Sequence, residues 1–342
     1  MSVKGYKAFN KGMICRGKQY EENTTYEESG NKICEAGVMH FCENPFDVLN
    51  YYQLVDENGD ISDFADVEAI GDVYKKGDKT ATNKLHIGAK LGLKGFVKAC
   101  VDFTIEKARV ESGKENETDS SGDCAKIGSS GDYAQIGSSG DCAKIGSSGD
   151  SAKIGSSGDS AKIGSSGDYA KIGSSGDCAQ IGSSGDSAKI GSSGDCAQIG
   201  SSGDSAKIGS SGDYAQIGSS GDYAQIGSSG DCAKIGSSGD CAQIGSSGDY
   251  AQIGSSGDCA KITSKGKNSV VMAAGYNSIA KAKIGSWITL AEWIRTDKTN
   301  DGGNYIWIPK CVKTEYVDGE RIKEDTFYKL VDGEFKEVES EE

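Results

Sequence analysis

Gly137-Ser138-Ser139-Gly140-Asp141-Cys142-Ala143-Lys144-Ile145 is followed at once by Gly146-Ser147-Ser148-Gly149-Asp150-Ser151-Ala152-Lys153-Ile154. The unit is Gly-Ser-Ser-Gly-Asp-x-Ala-[Lys/Gln]-Ile, and its Asp recurs every nine residues from Asp123 to Asp258, giving sixteen copies. Such a short fixed period marks a stacked array, in which one unit cannot bury its apolar face alone and its neighbours supply the cover. Gly-Ser-Ser-Gly has turn chemistry, because Gly supplies positive φ and Ser bonds its own backbone. The following x-Ala-[Lys/Gln]-Ile alternates as a short strand does, with Ala and Ile sharing a face. Stacking then aligns Ile127, Ile136, Ile145, Ile154 and Ile163 in a core ladder. Burying each Ile is worth about 1.5–3 kcal/mol, which can offset the ordering cost of a Gly-rich chain.

Nine residues at about 3.3 Å each enclose a perimeter of only about 30 Å, too tight for side chains from two opposed strands. Two units, 18 residues, are therefore expected per coil, and about nine coils stacked at about 4.8 Å give a rod near 43 Å long. Variation at x among Cys, Tyr and Ser, and two residues later between Lys and Gln, falls where the alternation points outward. Side chains of such different size do not interchange in a close-packed interior. Tyr133, Tyr169, Tyr214, Tyr223 and Tyr250 at x form a candidate interaction ladder, since aromatics are favoured at interfaces. Cys124/Cys142, Cys178/Cys196 and Cys241/Cys259 are each 18 residues apart, so an 18-residue coil brings each pair within disulfide range.

The array passes into two decayed copies, Thr263-Ser-Lys-Gly-Lys-Asn-Ser-Val-Val and Met272-Ala-Ala-Gly-Tyr-Asn-Ser-Ile-Ala, with Val271 and Ala280 where the Ile belongs. The expected architecture is mainly β: a small α+β N-terminal domain over 1–108, a polar linker over 109–119, a parallel β-solenoid over 120–286, and a β-meander cap over 287–342. The cap follows from Trp287-Ile-Thr-Leu-Ala-Glu-Trp and Tyr305-Ile-Trp-Ile-Pro-Lys-Cys-Val, with turns at Asp301-Gly-Gly, Asp318-Gly and Asp332-Gly. An uncapped end invites aggregation, so covering it is the first job of this segment.

With 50 Gly and 2 Pro in 342 residues, repetition outweighs ordinary globular character. A net charge of −14, without a basic stripe, speaks against nucleic-acid binding. No apolar run reaches membrane-spanning length and the N-terminus lacks a signal-peptide pattern, so a location in the cytoplasm of the producing cell, or in a virion, is expected. Seven of the twelve cysteines sit at the interchangeable x position, which does not specify pairing and points to reduced thiols.

In the N-terminal region Cys15, Cys34, His40, Cys42 and Cys100 are the residues that could gather as a metal site or a Cys-His pair. Without a Cys-x-x-Cys spacing, packing as small apolar side chains is the expectation, and no catalytic residue is assigned. His86 is read as structural, and Asp56, Glu57 and Asp60 around Asn58-Gly59 as a solvated turn.

The unit resembles the calcium-binding β-roll nonapeptide, Gly-Gly-x-Gly-x-Asp-x-apolar-x, with Ser in place of the second Gly and Asp one residue earlier. That resemblance implies calcium at turns such as Asp123, Asp132 and Asp141; the residues themselves suggest that each Asp bonds amides of its own turn, with no cofactor needed. Lys4-Gly-Tyr-Lys-Ala-Phe-Asn, Cys15-Arg-Gly, His40-Phe-Cys-Glu-Asn-Pro-Phe-Asp-Val and Val67-Glu-Ala-Ile-Gly resemble an uncharacterised family encoded by bacteriophages and gut bacteria. Asn277-Ser-Ile-Ala-Lys-Ala-Lys-Ile-Gly-Ser-Trp and Asp318-Gly-Glu-Arg-Ile-Lys extend the resemblance past the repeats, and it implies a phage or prophage origin. The expected function is a non-enzymatic scaffold with a protein partner or self-association and no nucleic-acid or membrane contact. A calcium-dependent extracellular adhesin and a small N-terminal enzyme are the alternatives.

Overall fold

The computed structural model describes residues 2–30, 37–56, 60–110, 117–120, 122–299, 302 and 305–339. Its centre is a parallel β-solenoid of about nine turns with 18 residues per coil. Strands of alternate units fall into two sheets: one runs from Lys126–Ser129 to Val270–Ala273, the other from Glu117–Ser120 to Ile279–Lys281. Every register is in step, with Ile145 beside Ile163 and Ile154 beside Ile172. The expected ladder of Ile127, Ile136, Ile145, Ile154 and Ile163 is the buried core, continued by Val271 and Ala280 in the decayed copies.

The strand within each unit is [Lys/Gln]-Ile-Gly-Ser, not x-Ala-[Lys/Gln]-Ile. Lys or Gln and Gly point outward, Ile and the first Ser inward, and Ala packs fully buried at the corner before the strand. Positive φ falls on x and not on the repeat glycines: Cys142, Ser151 and Tyr169 all sit at φ 58°. This left-handed corner costs a non-Gly residue about 1–2 kcal/mol. Each x amide also donates across the stack, as Tyr169 does to the Asp186 carbonyl at 2.8 Å. The glycine before Asp is required for a different reason. A Cβ on Gly185 would stand 2.1 Å from the Gly167 carbonyl oxygen of the preceding coil, so the stacking distance itself excludes a side chain.

The solenoid begins at Glu117–Ser120, slightly before the expected boundary, and residues 111–116 of the expected linker lie outside the described residues. At its far end both sheets turn antiparallel. Trp287–Thr299 starts as the last parallel rung beside Val270–Ala273 and then pairs with Tyr305–Tyr316. Phe327–Val331 and Glu334–Val338 form a hairpin on the other sheet, turning at Asp332 and Gly333 with φ 53° and 71°. Tyr328, Leu330, Val317 and Ile322 close the core there.

The N-terminal domain combines a four-stranded antiparallel sheet, a three-stranded sheet, a 3-10 segment Pro45–Asn50 and the helix Leu93–Val110. It does not project from the end of the rod. It lies along the second sheet, over the outward glycines: a Cβ on Gly191 would meet Val97 and Phe46, one on Gly227 Leu54 and Leu93, and one on Gly245 Val55 and Ile61. The corresponding glycines of the first sheet, such as Gly146, Gly164, Gly182 and Gly200, have nothing within 4 Å of that position.

Candidate functional site

Three regions carry chemistry. The first is the pair of solenoid corners. Each Asp Oδ1 accepts the amide of the Asp one coil further on: Asp150 N–H donates to Asp132 at 3.0 Å and Asp159 N–H to Asp141 at 3.1 Å. The Asp therefore serves the next coil and not its own turn, which corrects the expected geometry. The column ends logically, with the amides of Lys267 and Tyr276 in the decayed copies donating to Asp249 and Asp258 Oδ1 at 2.7 Å. Among the described residues no group of three or more His, Cys, Asp or Glu is arranged to hold a metal ion.

The x side chains leave these corners as two separate columns. Tyr133, Tyr169 and Tyr223 precede strands of the covered sheet, Tyr214 and Tyr250 strands of the open one. All five are well exposed, but they do not form one stripe. Tyr133 and Tyr169 stand two coils apart, roughly 9.6 Å. The stacked cysteines do meet: Cys124 and Cys142, Cys178 and Cys196, and Cys241 and Cys259 lie close enough for one thiol to raise the other. In Cys142 the neighbouring Cys124, with some desolvation, raises the thiol above its ordinary range.

The second region is the two sheet faces. On the covered one, Lys171, Lys189, Lys207 and Gln225 each match a polar group that the N-terminal domain presents. Lys171 pairs with Asp47; Lys189 donates to Phe46 O at 3.2 Å and Asn50 Oδ1 at 2.6 Å; Lys207 donates to Leu49 O at 2.6 Å. Lysine thus meets the carboxylate and carbonyls of the 3-10 segment. At the next coil the domain offers an amide, and Leu54 N–H donates to Gln225 Oε1 at 3.1 Å. Burial lowers Lys189 to about 8. Asp60, expected in a solvated turn, instead forms an ion pair with Lys265, while Glu57, Asn58 and Gly59 lie outside the described residues. On the open sheet, Lys144, Lys162, Gln180 and Gln198 are exposed beside the bare glycine row. That sheet ends in the strand Tyr305–Tyr316, where Ile306, Trp307, Ile308 and Val312 are exposed.

The third region is a cavity of about 400 Å³ inside the N-terminal domain. It brings together three of the expected candidates, Cys15, His40 and Cys42, and adds Lys7, Arg16 and Lys79, which the sequence reading passed over. Cys100 is buried elsewhere, in the core facing the solenoid, and Cys34 lies outside the described residues. His86 sits on the surface with Nδ1 3.0 Å from Thr25 Oγ1.

The strand Val3–Phe9 carries Lys7 inward; it is 6 % exposed, and its Nζ donates to His40 O at 3.0 Å. Cys15 and Arg16 come from a tight hairpin whose turn residues Arg16 and Gly17 have φ 51° and 76°. Tyr52 donates its hydroxyl to Cys15 Sγ at 3.0 Å, and Lys79 Nζ lies 3.9 Å from the Tyr51 ring centroid. Burial lowers the Lys7 ammonium. Burial, with Lys79, Lys7 and Arg16 nearby, lowers His40 to about 4, so the ring is neutral at physiological pH. Cys42 is raised to about 12, chiefly by burial, and is not a thiolate. The signal available for this site was Lys7 two residues before Phe9, a spacing that places both on one strand face.

Among the described residues no helix is long and apolar enough to cross a membrane. No curated protein and no solved structure matches the chain. Residues 3–99, which contain the whole cavity, match the family described as "Domain of unknown function (DUF7666)".

Proposed function

We propose that the chain is a non-enzymatic interaction scaffold whose open solenoid face associates with protein, a second copy of the chain being the occupant. The observation that carries this reading is the contrast between two faces built from one repeat. The covered face accepts Val97, Leu93, Leu54 and Phe46 against its glycine row, with Lys and Gln satisfying polar groups alongside. The open face repeats the same floor and flanking residues without a cover among the described residues. Its terminal strand adds Ile306, Trp307, Ile308 and Val312, an apolar edge of the kind that pairs with other chains.

No calcium is required in this reading, because Asp Oδ1 atoms already accept amides. Equal melting temperatures with millimolar calcium and with a chelator are expected. A phage or prophage origin, and a cytoplasmic or virion location, belong to the same proposal and rest on the resemblance described above. The test of association is sedimentation of the full chain over a concentration series, beside Gly200→Arg, which has open space for its side chain. Reversible self-association of the parent that the variant abolishes supports the scaffold. A parent that stays monomeric to high micromolar concentration overturns self-association through this face.

A further inference from the structure

We propose that the N-terminal cavity binds a small phosphomonoester with a flat organic body. The cavity, at about 400 Å³, falls within the usual size of small-molecule sites. Its lining includes four cationic side chains, Lys7, Arg16, Lys18 and Lys79, in a protein of net charge −14. Glu28 is the sole carboxylate among the described lining residues, and it is paired with Lys18. Among the described residues, Lys7, Arg16 and Lys79 thus face the same space without a lining carboxylate to match them.

The position of Lys7 gives this imbalance its weight. An ammonium buried to 6 % exposure is costly unless a counter-charge accompanies it. It donates to the His40 carbonyl and has the Cys15 thiol nearby, neither of them a carboxylate. An entering oxyanion supplies the missing charge, and the cationic wall concentrates anions there despite the acidic surface elsewhere. Arg16 is held at the mouth by a left-handed turn, and its planar fork suits phosphate oxygens. Tyr20, Tyr51 and Tyr52 contribute flat aromatic walls, and Lys79 is seated against Tyr51. These walls argue for a ligand with a planar body joined to the phosphate. His40, neutral and itself a lining residue, adds no competing charge.

The test is isothermal titration of the full-length protein with phenyl phosphate and, separately, inorganic phosphate. Rates of Cys15 alkylation by iodoacetamide, read by peptide mapping, report occupancy independently. Saturable binding of phenyl phosphate is expected, weakened about tenfold or more by Arg16→Asn and by Lys79→Gln, with slowed Cys15 labelling in the parent. Arg16→Asn keeps a residue tolerant of the left-handed turn, and circular dichroism confirms that both variants fold. No saturable binding at millimolar phenyl phosphate overturns the proposal, as does binding that both variants leave unchanged. Inorganic phosphate binding as tightly as phenyl phosphate overturns the flat body. Self-association through the open solenoid face is read from a different experiment, so either reading can fail alone.

Discussion

Replacing Gly185 with Ala tests whether coil stacking, and not turn conformation, fixes the second glycine of each unit. The new Cβ would lie 2.1 Å from Gly167 O, 2.4 Å from Gly167 C and 2.8 Å from Asp168 N. Comfortable carbon-oxygen contact begins near about 3.3 Å, so the corner must open by about 1.2 Å. Two hydrogen bonds cross that gap, Tyr169 N–H to Asp186 O and Asp186 N–H to Asp168 Oδ1, both 2.8 Å. Stretching them past about 3.5 Å forfeits roughly 0.5–1.5 kcal/mol each. Overpacking adds about 1–3 kcal/mol, for a total of about 2–6 kcal/mol. Gly182→Ala is the control, because its side chain enters open space and the lost glycine entropy favours folding by about 0.5–1 kcal/mol. Urea unfolding followed by far-ultraviolet circular dichroism compares the two. Equal midpoints, or a loss below about 1 kcal/mol for Gly185→Ala, would refute the stacking argument.

Asp186→Ala removes the acceptor for the Asp204 amide at 2.9 Å, whereas Asp186→Asn keeps one; the alanine variant should melt lower, with a deficit of about 1 kcal/mol, and equal melting would show that the Asp column does not stabilise the stack. Gly209→Val presses on Val97, which already stands 3.0 Å from the Cβ position, and should lift the N-terminal domain and expose its helix to protease; Gly200→Val on the open face should leave proteolysis unchanged. Glu315 is held at about 2, first by Arg321 and then by Lys313 against the opposing effect of burial; a depressed folded value gives stability that is present above the ordinary 4.5 and lost as pH falls towards 2, so tryptophan fluorescence should report loosening of the cap in that window, and Glu315→Gln should flatten it. Oxidised glutathione should link Cys124–Cys142, Cys178–Cys196 and Cys241–Cys259, two thiols giving one disulfide and two molecules of reduced glutathione; peptide maps with links across columns would contradict the stacking, and Cys232, between Tyr214 and Tyr250 in its column, should form no link within the rod.

The solenoid was legible because its information is local and repeated: Ile spacing and a perimeter estimate suffice for two sheets and 18-residue coils. The left-handed corner was harder to read, since Cys, Tyr and Ser do not ask for positive φ. Asn268 and Asn277, at x in the decayed copies, were the available hint, because Asn tolerates that conformation best among non-glycine residues. The glycine before Asp looked like a turn residue until the Gly167 carbonyl was seen to occupy the place of its side chain. Docking of the N-terminal domain depends on contacts more than a hundred residues apart, such as Lys171 with Asp47, which no periodicity reveals. For the same reason the cavity stayed hidden, although Cys15, His40 and Cys42 had been singled out.

Two units per coil also impose a parity rule on the length of the chain. Adding or losing one nonapeptide would send every later strand to the opposite sheet, so that Trp287 would reach the stack on the side built for Ile279. Adding or losing two preserves the faces but slides the covered sheet by one coil beneath the N-terminal domain. A slide in one direction would bring Lys207 under Leu54 N–H, setting donor against donor, and a slide in the other would replace Lys207 by Gln225 under Leu49 O. The rod therefore behaves as a vernier against its own domain, and a viable change of length must move whole coils at the ends of the docked stretch while leaving Lys171 to Gln225 in place.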